Sequence, residues 1–200
     1  MYELNLTQSY FPAQPDENYR ERTIEETLRE QAAERGAAMA LREVLADGSI
    51  RREWTYSQLL ADVERCARAL ASRHPLGARI AIMGGNCPEW VLIELGAALA
   101  GLTAVTVNPS FTVREVRYVL EQSNSQAVYY QRNVRGSALR PIVDEAAAGT
   151  DASAFIIDME DHGDLFAGDG DGELRPTTPH DIVMIQYTSG TTGFPKGVLL

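Results

Sequence analysis

Residues 79–107 read RIAIMGGNCPEWVLIELGAALAGLTAVTV. Both ends of this segment, Arg79–Met83 and Thr103–Val107, are apolar runs of strand length. Between them, Pro88–Ala100 begins with a proline, which the first turn of a helix tolerates, and it is apolar nearly all the way round. The pattern predicts a strand, a helix and a second strand, with the helix sandwiched between layers.

The alternation of strand and helix continues beyond this segment. Three more apolar runs of strand length follow at Ala127–Tyr130, Ala154–Asp158 and Ile182–Tyr187. Strands that alternate with helices predict βαβ units, which place the chain in the α/β class with a mainly parallel sheet. Earlier in the chain, Ala40–Leu45 and Ile50–Thr55 flank Asp47-Gly48, a turn dipeptide that predicts a β-hairpin.

Three helix starts carry the capping-box pattern, in which a small polar residue precedes a glutamate by three positions. The pairs are Thr23 with Glu26, Asn86 with Glu89, and Thr112 with Glu115. A further helix is predicted after Leu59, because apolar residues recur there at helical spacing: Leu60, Val63, Ala67 and Leu70. Residues 162–180, rich in glycine and acidic residues, predict a solvated loop.

The composition is that of one globular domain, with 200 residues, 44% hydrophobic and 23% charged. The net charge of −10 is concentrated in residues 144–181, where the acidic residues greatly outnumber one arginine, Arg175. The rest of the chain is balanced in charge, so it offers no basic surface that would release counterions from nucleic acid. We therefore expect no nucleic-acid partner.

Targeting and redox signals are weak. Residues 1–6 carry an acid and no basic residue, and no uniform apolar segment follows them. The uncharged run 95–112 contains glycine, proline and hydroxyl residues, so it does not predict a membrane span. Cys66 and Cys87 are too few for a disulfide framework and predict reduced, buried thiols. We expect a cytoplasmic protein without a membrane span.

Two weaker patterns have ordinary explanations. Gly84-Gly85 lies between a predicted strand and a predicted helix but lacks the third glycine of a dinucleotide-binding turn. A solvated helix face explains a group of arginines better than a basic patch for a nucleotide does: Arg114, Arg117, Arg132, Arg135 and Arg140.

The segment most informative about function is Tyr187–Gly197, which reads YTSGTTGFPKG. Its glycines let the backbone approach a ligand closely, and its serine and threonine hydroxyls donate hydrogen bonds. Successive backbone N–H groups in such a loop form an anion-binding nest, to which Lys196, the only lysine in the chain, adds a positive charge. The segment predicts a phosphate-binding loop. It is not a Walker A loop, because proline precedes the lysine and residues 197–200 predict a strand.

This loop resembles the phosphate-loop signature of the adenylate-forming superfamily, which includes acyl-CoA synthetases, luciferases and the adenylation domains of peptide synthetases. Upstream segments are also similar to the N-terminal region of fatty-acyl-CoA ligases: Trp54–Leu59, Asn86–Trp90, Ala100–Pro109 and Val113–Leu120. The resemblance covers roughly residues 20–200.

The resemblance implies that this loop holds the phosphates of ATP, with Mg²⁺ sharing their charge, through Thr188, Ser189, Gly190, Thr191, Thr192, Gly193 and Lys196. It implies that ATP activates a carboxylic acid as an acyl-adenylate and that the thiol of CoA then displaces AMP. Catalysis of this kind depends on positioning and electrostatic stabilisation, and none of the loop residues acts as a nucleophile or general base. A fatty acid is the substrate that the resemblance favours, with an aryl or amino acid as the alternative.

The resemblance also implies a longer protein. Members of the family continue beyond this loop with the adenine site, the acid pocket and a small C-terminal domain that carries a catalytic lysine. We expect residues 1–22 to form an irregular arm and residues 23–200 to be the front part of the large N-terminal AMP-binding domain, inactive by itself. A noncatalytic nucleotide- or partner-binding module is the alternative. A sheet that is cut after the loop leaves an exposed strand edge, which predicts a homodimer.

Overall fold

The computed structural model describes residues 20–170, 172–188 and 195–200. Its helices are α1 (Ile24–Arg35), α2 (Tyr56–Arg73), α3 (Pro88–Leu99), α4 (Val113–Ser123), α5 (Arg140–Ala147) and α6 (His162–Leu165). Its strands are β1 (Met39–Val44), β2 (Ile50–Thr55), β3 (Arg79–Met83), β4 (Thr103–Val107), β5 (Ala127–Tyr130), β6 (Asn133–Val134), β7 (Ser137–Ala138), β8 (Ile156–Asp158), β9 (Met184–Thr188) and β10 (Lys196–Leu199). Most of the predicted N-terminal arm lies outside the described residues.

Six strands form the central sheet, in the order β10-β9-β4-β3-β5-β8. Neighbouring strands pair in parallel, except β9 and β10, which are antiparallel. This arrangement confirms the predicted α/β class with a mainly parallel sheet. The strands β1 and β2 form the predicted antiparallel hairpin as a separate two-stranded sheet, and β6 and β7 form another.

Helices cover both faces of the sheet. Side chains alternate along β3, so Ile80 and Ile82 pack into one core with α1, α2 and α3, while Ala81 and Met83 pack into a second core with α4 and α5. Helix α3 packs against both α2 and the sheet, as its apolar surface predicts. At Gly96 a Cβ atom would lie 3.1 Å from the sulfur of Cys66, so this glycine lets α2 and α3 approach closely.

Two of the predicted capping boxes are confirmed and one is wrong. Thr23 and Thr112 each cap their helix, and the glutamate three residues later bonds back to the backbone N–H of the cap. At α3 the N-cap is Cys87, one residue later than predicted, and it makes no side-chain capping bond. The carboxylate of Glu89 does not reach back to Asn86, because it binds Arg52 and His162 instead.

Several boundaries differ from the predictions. Strand β8 is shorter than predicted, because residues 151–154 form a turn of 3₁₀ helix. Strand β9 begins two residues later than predicted, at Met184. The predicted loop 162–180 begins with the short helix α6, which the side chain of Asp161 caps. Cys66 is buried, as predicted, but Cys87 is only partly buried, and both thiols are free.

Replacement of Thr112 by alanine is expected to lower the free energy of unfolding by about 1 kcal/mol, because the hydroxyl accepts a bond from the N–H of Glu115 and alanine leaves that donor without a protein partner. Thr112→Ser retains the hydroxyl and serves as the matched control. Urea unfolding of the two variants measures the difference. Equal stability of the alanine and serine variants would show that the cap contributes nothing.

Candidate functional site

The structure places the two ends of the predicted phosphate loop side by side. Strand β9 ends at Thr188 and β10 begins at Lys196, and these two residues are directly opposite each other in the antiparallel ladder. The hydroxyl of Thr188 donates to the carbonyl oxygen of Lys196 at 3.4 Å. The other predicted site residues lie outside the described residues: Ser189, Gly190, Thr191, Thr192 and Gly193. Their predicted role stays a prediction.

Strand β9, which precedes the loop, ends at one edge of the sheet. Strand β9 pairs in parallel with β4, which pairs in parallel with β3, so the loop begins at the edge where the other parallel strands end. The helix after β3 packs on one face of the sheet and the helix after β4 packs on the other. A change of face between adjacent strands opens a crevice at their carboxyl ends, which is where open α/β sheets bind ligands.

A groove of about 990 Å³ lies at this edge of the sheet. Its walls come from the β1–β2 hairpin (residues 41–44), the segment from the end of β3 into α3, the end of β4 with Phe111, and Gln186 and Tyr187 of β9. Pro195 also lines it, so the groove is continuous with the end of the phosphate loop. The lining combines apolar side chains, such as Trp90 and Phe111, with polar ones, such as Asn108 and Gln186, which suits an organic substrate that carries a polar group.

A second, more polar crevice of about 580 Å³ lies next to the groove. It is formed by the segments that follow β3, β4 and β5, and Gly84, Gly85 and Asn108 line both cavities. Gln131 fixes the first segment, because its side-chain oxygen accepts the backbone N–H of Gly85 at 2.9 Å. Arg135 is at the rim and has a φ of 50°, which the tight turn between β6 and β7 requires.

The ionisable groups that line the groove include one thiol, that of Cys87. Burial raises its pKa to about 11, so the thiol is protonated at neutral pH and is a poor nucleophile. Its sulfur lies 3.7 Å from that of Met159. This state agrees with a site that works by positioning substrates and not by covalent attack.

Glu89 lies behind the groove, buried beside other ionisable side chains. The sequence predicted it only as part of a capping box. Glu89 is 2% exposed and binds both Arg52 of β2 and His162 of α6. Burial raises the pKa of Glu89, but the hydrogen bonds from Arg52 and His162 outweigh this effect and lower it below its usual value. No sequence spacing connects these three residues, because they come from separate elements.

Three of the five arginines considered as a basic patch have local partners. Arg117 donates to the carbonyls of Glu145 and Ala148 at the end of α5, Arg132 pairs with Asp158, and Arg140 pairs with Asp144. These contacts explain the three side chains without a nucleotide, but the predicted helix face is wrong for Arg132 and Arg135, because they lie in the turns that follow β5 and β6. Arg135 differs, because it faces the polar crevice.

The part of the chain that the structure describes contains no group of three or more His, Cys, Asp or Glu residues that could hold a metal. The loop offers hydroxyls, backbone N–H groups and one ammonium, which suit phosphate oxygens. Within the described ranges no helix is long and apolar enough to cross a bilayer.

A mainly parallel sheet with helices on both faces defines an α/β protein of three layers. The family model described as AMP-binding enzyme matches residues 28–200. The chain therefore belongs to the AMP-binding enzyme family.

Similar proteins are CoA ligases. The chain is 33% identical to 4-coumarate–CoA ligase 1 of Oryza sativa subsp. japonica, over 84% of this chain and 31% of the relative. It is 31% identical to the mitochondrial medium-chain acyl-CoA ligase ACSF2 of Macaca fascicularis, over 80% of this chain and 30% of the relative. A solved fatty acyl CoA synthetase of Mycobacterium tuberculosis superposes with a TM-score of 0.72 at 27% identity, over 89% of this chain and 34% of the other. The chain thus spans about a third of the length of these relatives.

Proposed function

We propose that this chain supplies the ATP-phosphate site of an ATP-dependent acid–thiol ligase. A carboxylate resists attack by a thiol, because it is anionic and its oxygen leaves poorly. In the proposed reaction, a carboxylate oxygen attacks the α-phosphorus of ATP and pyrophosphate leaves with the electron pair of the broken P–O bond. The thiol of CoA then attacks the acyl carbon, loses its proton, and expels AMP.

The observation that carries the proposal is that the two ends of the predicted phosphate loop, at Thr188 and Lys196, are paired beside the groove. In the proposal, the β- and γ-phosphates of MgATP are held by seven residues: Thr188, Ser189, Gly190, Thr191, Thr192, Gly193 and Lys196. The paired ends of β9 and β10 support this role, because they fix both ends of the loop beside a groove that can hold the organic substrates. Positive charge and N–H groups at the phosphates stabilise the charge that develops as pyrophosphate leaves.

We propose an apolar carboxylic acid as the substrate, with a fatty acid as the first candidate. The apolar part of the groove supports this choice, as do relatives named for medium-chain acyl and fatty acyl groups. An aryl acid is the second candidate, because another relative is named for 4-coumarate. The proposed location is the cytoplasm, although one relative is named as mitochondrial.

We also propose that residues 23–200 act as the front part of a larger AMP-binding domain. Lys196 is the only lysine among the 200 residues and lies at the phosphate loop, so the catalytic lysine that the resemblance implies has no candidate here. The 200-residue chain alone should therefore form no acyl-adenylate. The exposed apolar side chains of Val198 and Leu199 on the edge strand β10 support a homodimer of that isolated chain.

Exchange of labelled pyrophosphate into ATP tests the proposed function, with the protein as its own cell makes it and a panel of fatty, aryl and amino acids. The expected result is exchange that depends on a fatty acid and Mg²⁺, and acyl-CoA formation once CoA is added. Binding of MgATP without exchange for any acid would refute the ligase proposal and support a noncatalytic nucleotide-binding module.

A further inference from the structure

The β1–β2 hairpin, residues 39–55, forms a wall of the groove, although it shares no backbone ladder with the central sheet. It is a separate two-stranded sheet, and residues 41–44 line the groove. The hairpin wall continues directly into α2 after Thr55, and its position relative to the sheet and α3 otherwise depends on side-chain contacts. Trp54 supplies one, since it is buried and donates to Asp62 of α2 at 2.9 Å.

A chain of charged groups joins the hairpin wall to the start of α3, which forms another wall of the groove. Arg52 of β2 donates through Nε to Glu43 of β1 at 2.6 Å. Its two terminal nitrogens donate to the two carboxylate oxygens of Glu89 at 2.5 and 3.1 Å. Glu89 lies in the first turn of α3, directly after the segment that lines the groove on that side. The guanidinium thus fixes both the distance and the direction between the two walls, because a bidentate pair is planar and directional.

A third element meets the same carboxylate. Nε2 of His162 in α6 lies 2.7 Å from Glu89 Oε1, so the segment after β8 is tied to the same point. Glu89 is 2% exposed, and both of its oxygens are occupied by cationic or polar nitrogen atoms. A buried ion pair gives little net stability compared with apolar side chains of similar size, so its main effect is on geometry.

We propose that Glu89 is a positioning residue, which sets the position of the hairpin wall of the substrate groove by holding Arg52. Among the described residues, Glu89 is not part of the lining of the groove, so it acts on the groove through Arg52 and the hairpin wall. The kinetic part of this inference rests on the proposed ligase function, in which the groove binds the organic substrates and the loop binds MgATP. A groove wall binds the ground state and the transition state equally, so its displacement raises KM and leaves kcat unchanged.

The experiment compares Glu89→Met, Arg52→Met and the double variant in the full protein. Each single change removes the bidentate partner of one charge, so that Glu89 keeps only His162 or Arg52 keeps only Glu43, and it is expected to lower the thermal midpoint. The double change removes both charges and leaves two apolar side chains of similar length, so the thermal midpoint should recover. The KM for the acid or for CoA should nevertheless stay about tenfold higher in the double variant, with kcat and the KM for MgATP within about twofold of the wild type.

Hydrogen exchange supplies a measurement that does not require activity. Backbone amides of β1 and β2 should exchange faster in the double variant, while those of β3 and β4 should not change. Glu25→Gln is the matched control, because Glu25 pairs with Arg29 on the exposed surface of α1. The control should match the wild type in every measurement.

A stable double variant with wild-type KM values and wild-type exchange of the hairpin would overturn the positioning role. Equal increases in all three KM values, including that for MgATP, would also overturn it, because they would indicate a general disturbance of the site. A wild-type protein that makes no acyl-CoA would refute the proposed function, and hydrogen exchange would then still decide whether Glu89 holds the hairpin wall.

Discussion

Replacement of Lys196 by alanine is expected to lower kcat/KM for MgATP by about 10²- to 10³-fold while leaving the KM for the acid within about twofold of the wild type. The side chain is the single ammonium in the chain and lies at the start of β10, where the phosphate loop ends. In the proposed function, Lys196 lies beside the phosphates, so its loss removes stabilisation of the charge on the departing pyrophosphate. Lys196 is exposed, so its removal should not disturb the core.

Thr191→Ala is the companion variant, and its expected loss is smaller, about tenfold in kcat/KM for MgATP, because one hydrogen bond to a charged oxygen is lost. Arg68→Ala removes an exposed cation of α2 away from the groove and serves as the control for a general change in charge. Initial rates at varied MgATP and varied acid separate the two substrates. Unchanged dependence on ATP in both loop variants would refute the assignment of this loop to the phosphates.

Acidification from pH 7 to pH 4 is expected to lower the free energy of unfolding by about 3 kcal/mol through His74 alone. Its imidazole is 5% exposed and lies with Nε2 3.0 Å from the hydroxyl of Tyr129 and with its ring 5.1 Å from that of Phe155. Burial, followed by the positive charge of Arg73, lowers the pKa of His74 from 6.5 to about 4.

The sign follows from which state of the protein binds the proton. Above pH 6.5 the imidazole of His74 is mostly neutral in both states, so it adds no pH dependence. Between pH 6.5 and about 4 the unfolded chain binds a proton that the folded chain does not, so stability falls as the pH falls. Below about pH 4 both states are protonated and this contribution stops changing.

His74→Gln tests this prediction, because a carboxamide can still hydrogen-bond to Tyr129 but does not titrate. Urea unfolding between pH 7 and pH 4 gives the free energy of unfolding of the wild type and of the variant at each pH. Subtracting one from the other removes the contribution of the carboxylates, which are the same in both proteins. The difference should change by about 3 kcal/mol in favour of the variant as the pH falls. His180→Gln, at an exposed histidine, is the control. Parallel profiles for the wild type and His74→Gln would contradict the prediction.

The α/β class could be predicted from the sequence because its signals are local. The strands β3, β4 and β5 are short and apolar, and they appear at the predicted residues since a central parallel strand is buried on both faces. The hairpin was predictable from Asp47-Gly48 for a similar reason, because turn chemistry acts between neighbours in sequence. The capping boxes at Thr23 and Thr112 are also local contacts.

Prediction failed where a local signal met a distant partner. The spacing of Asn86 and Glu89 is that of a capping box, but Arg52 competes for the carboxylate from another strand. The start of α6 is a different case, because the Asp161 cap is a local contact that a glycine-rich, acidic segment obscured. The sequence did not predict that the hairpin lines the groove, because this depends on packing between elements that are far apart in the chain.

By itself, the sequence determined the class of the fold, the strands of the parallel core and the loop chemistry that points to phosphate, because hydrophobic period and residue type act over a few neighbouring positions. Only the tertiary structure decided that the ends of this loop lie beside a groove, that the hairpin forms one wall of it, and that Glu89 joins that wall to α3. These features depend on the strand order and on which helix covers which face, and both arise from packing across the whole chain.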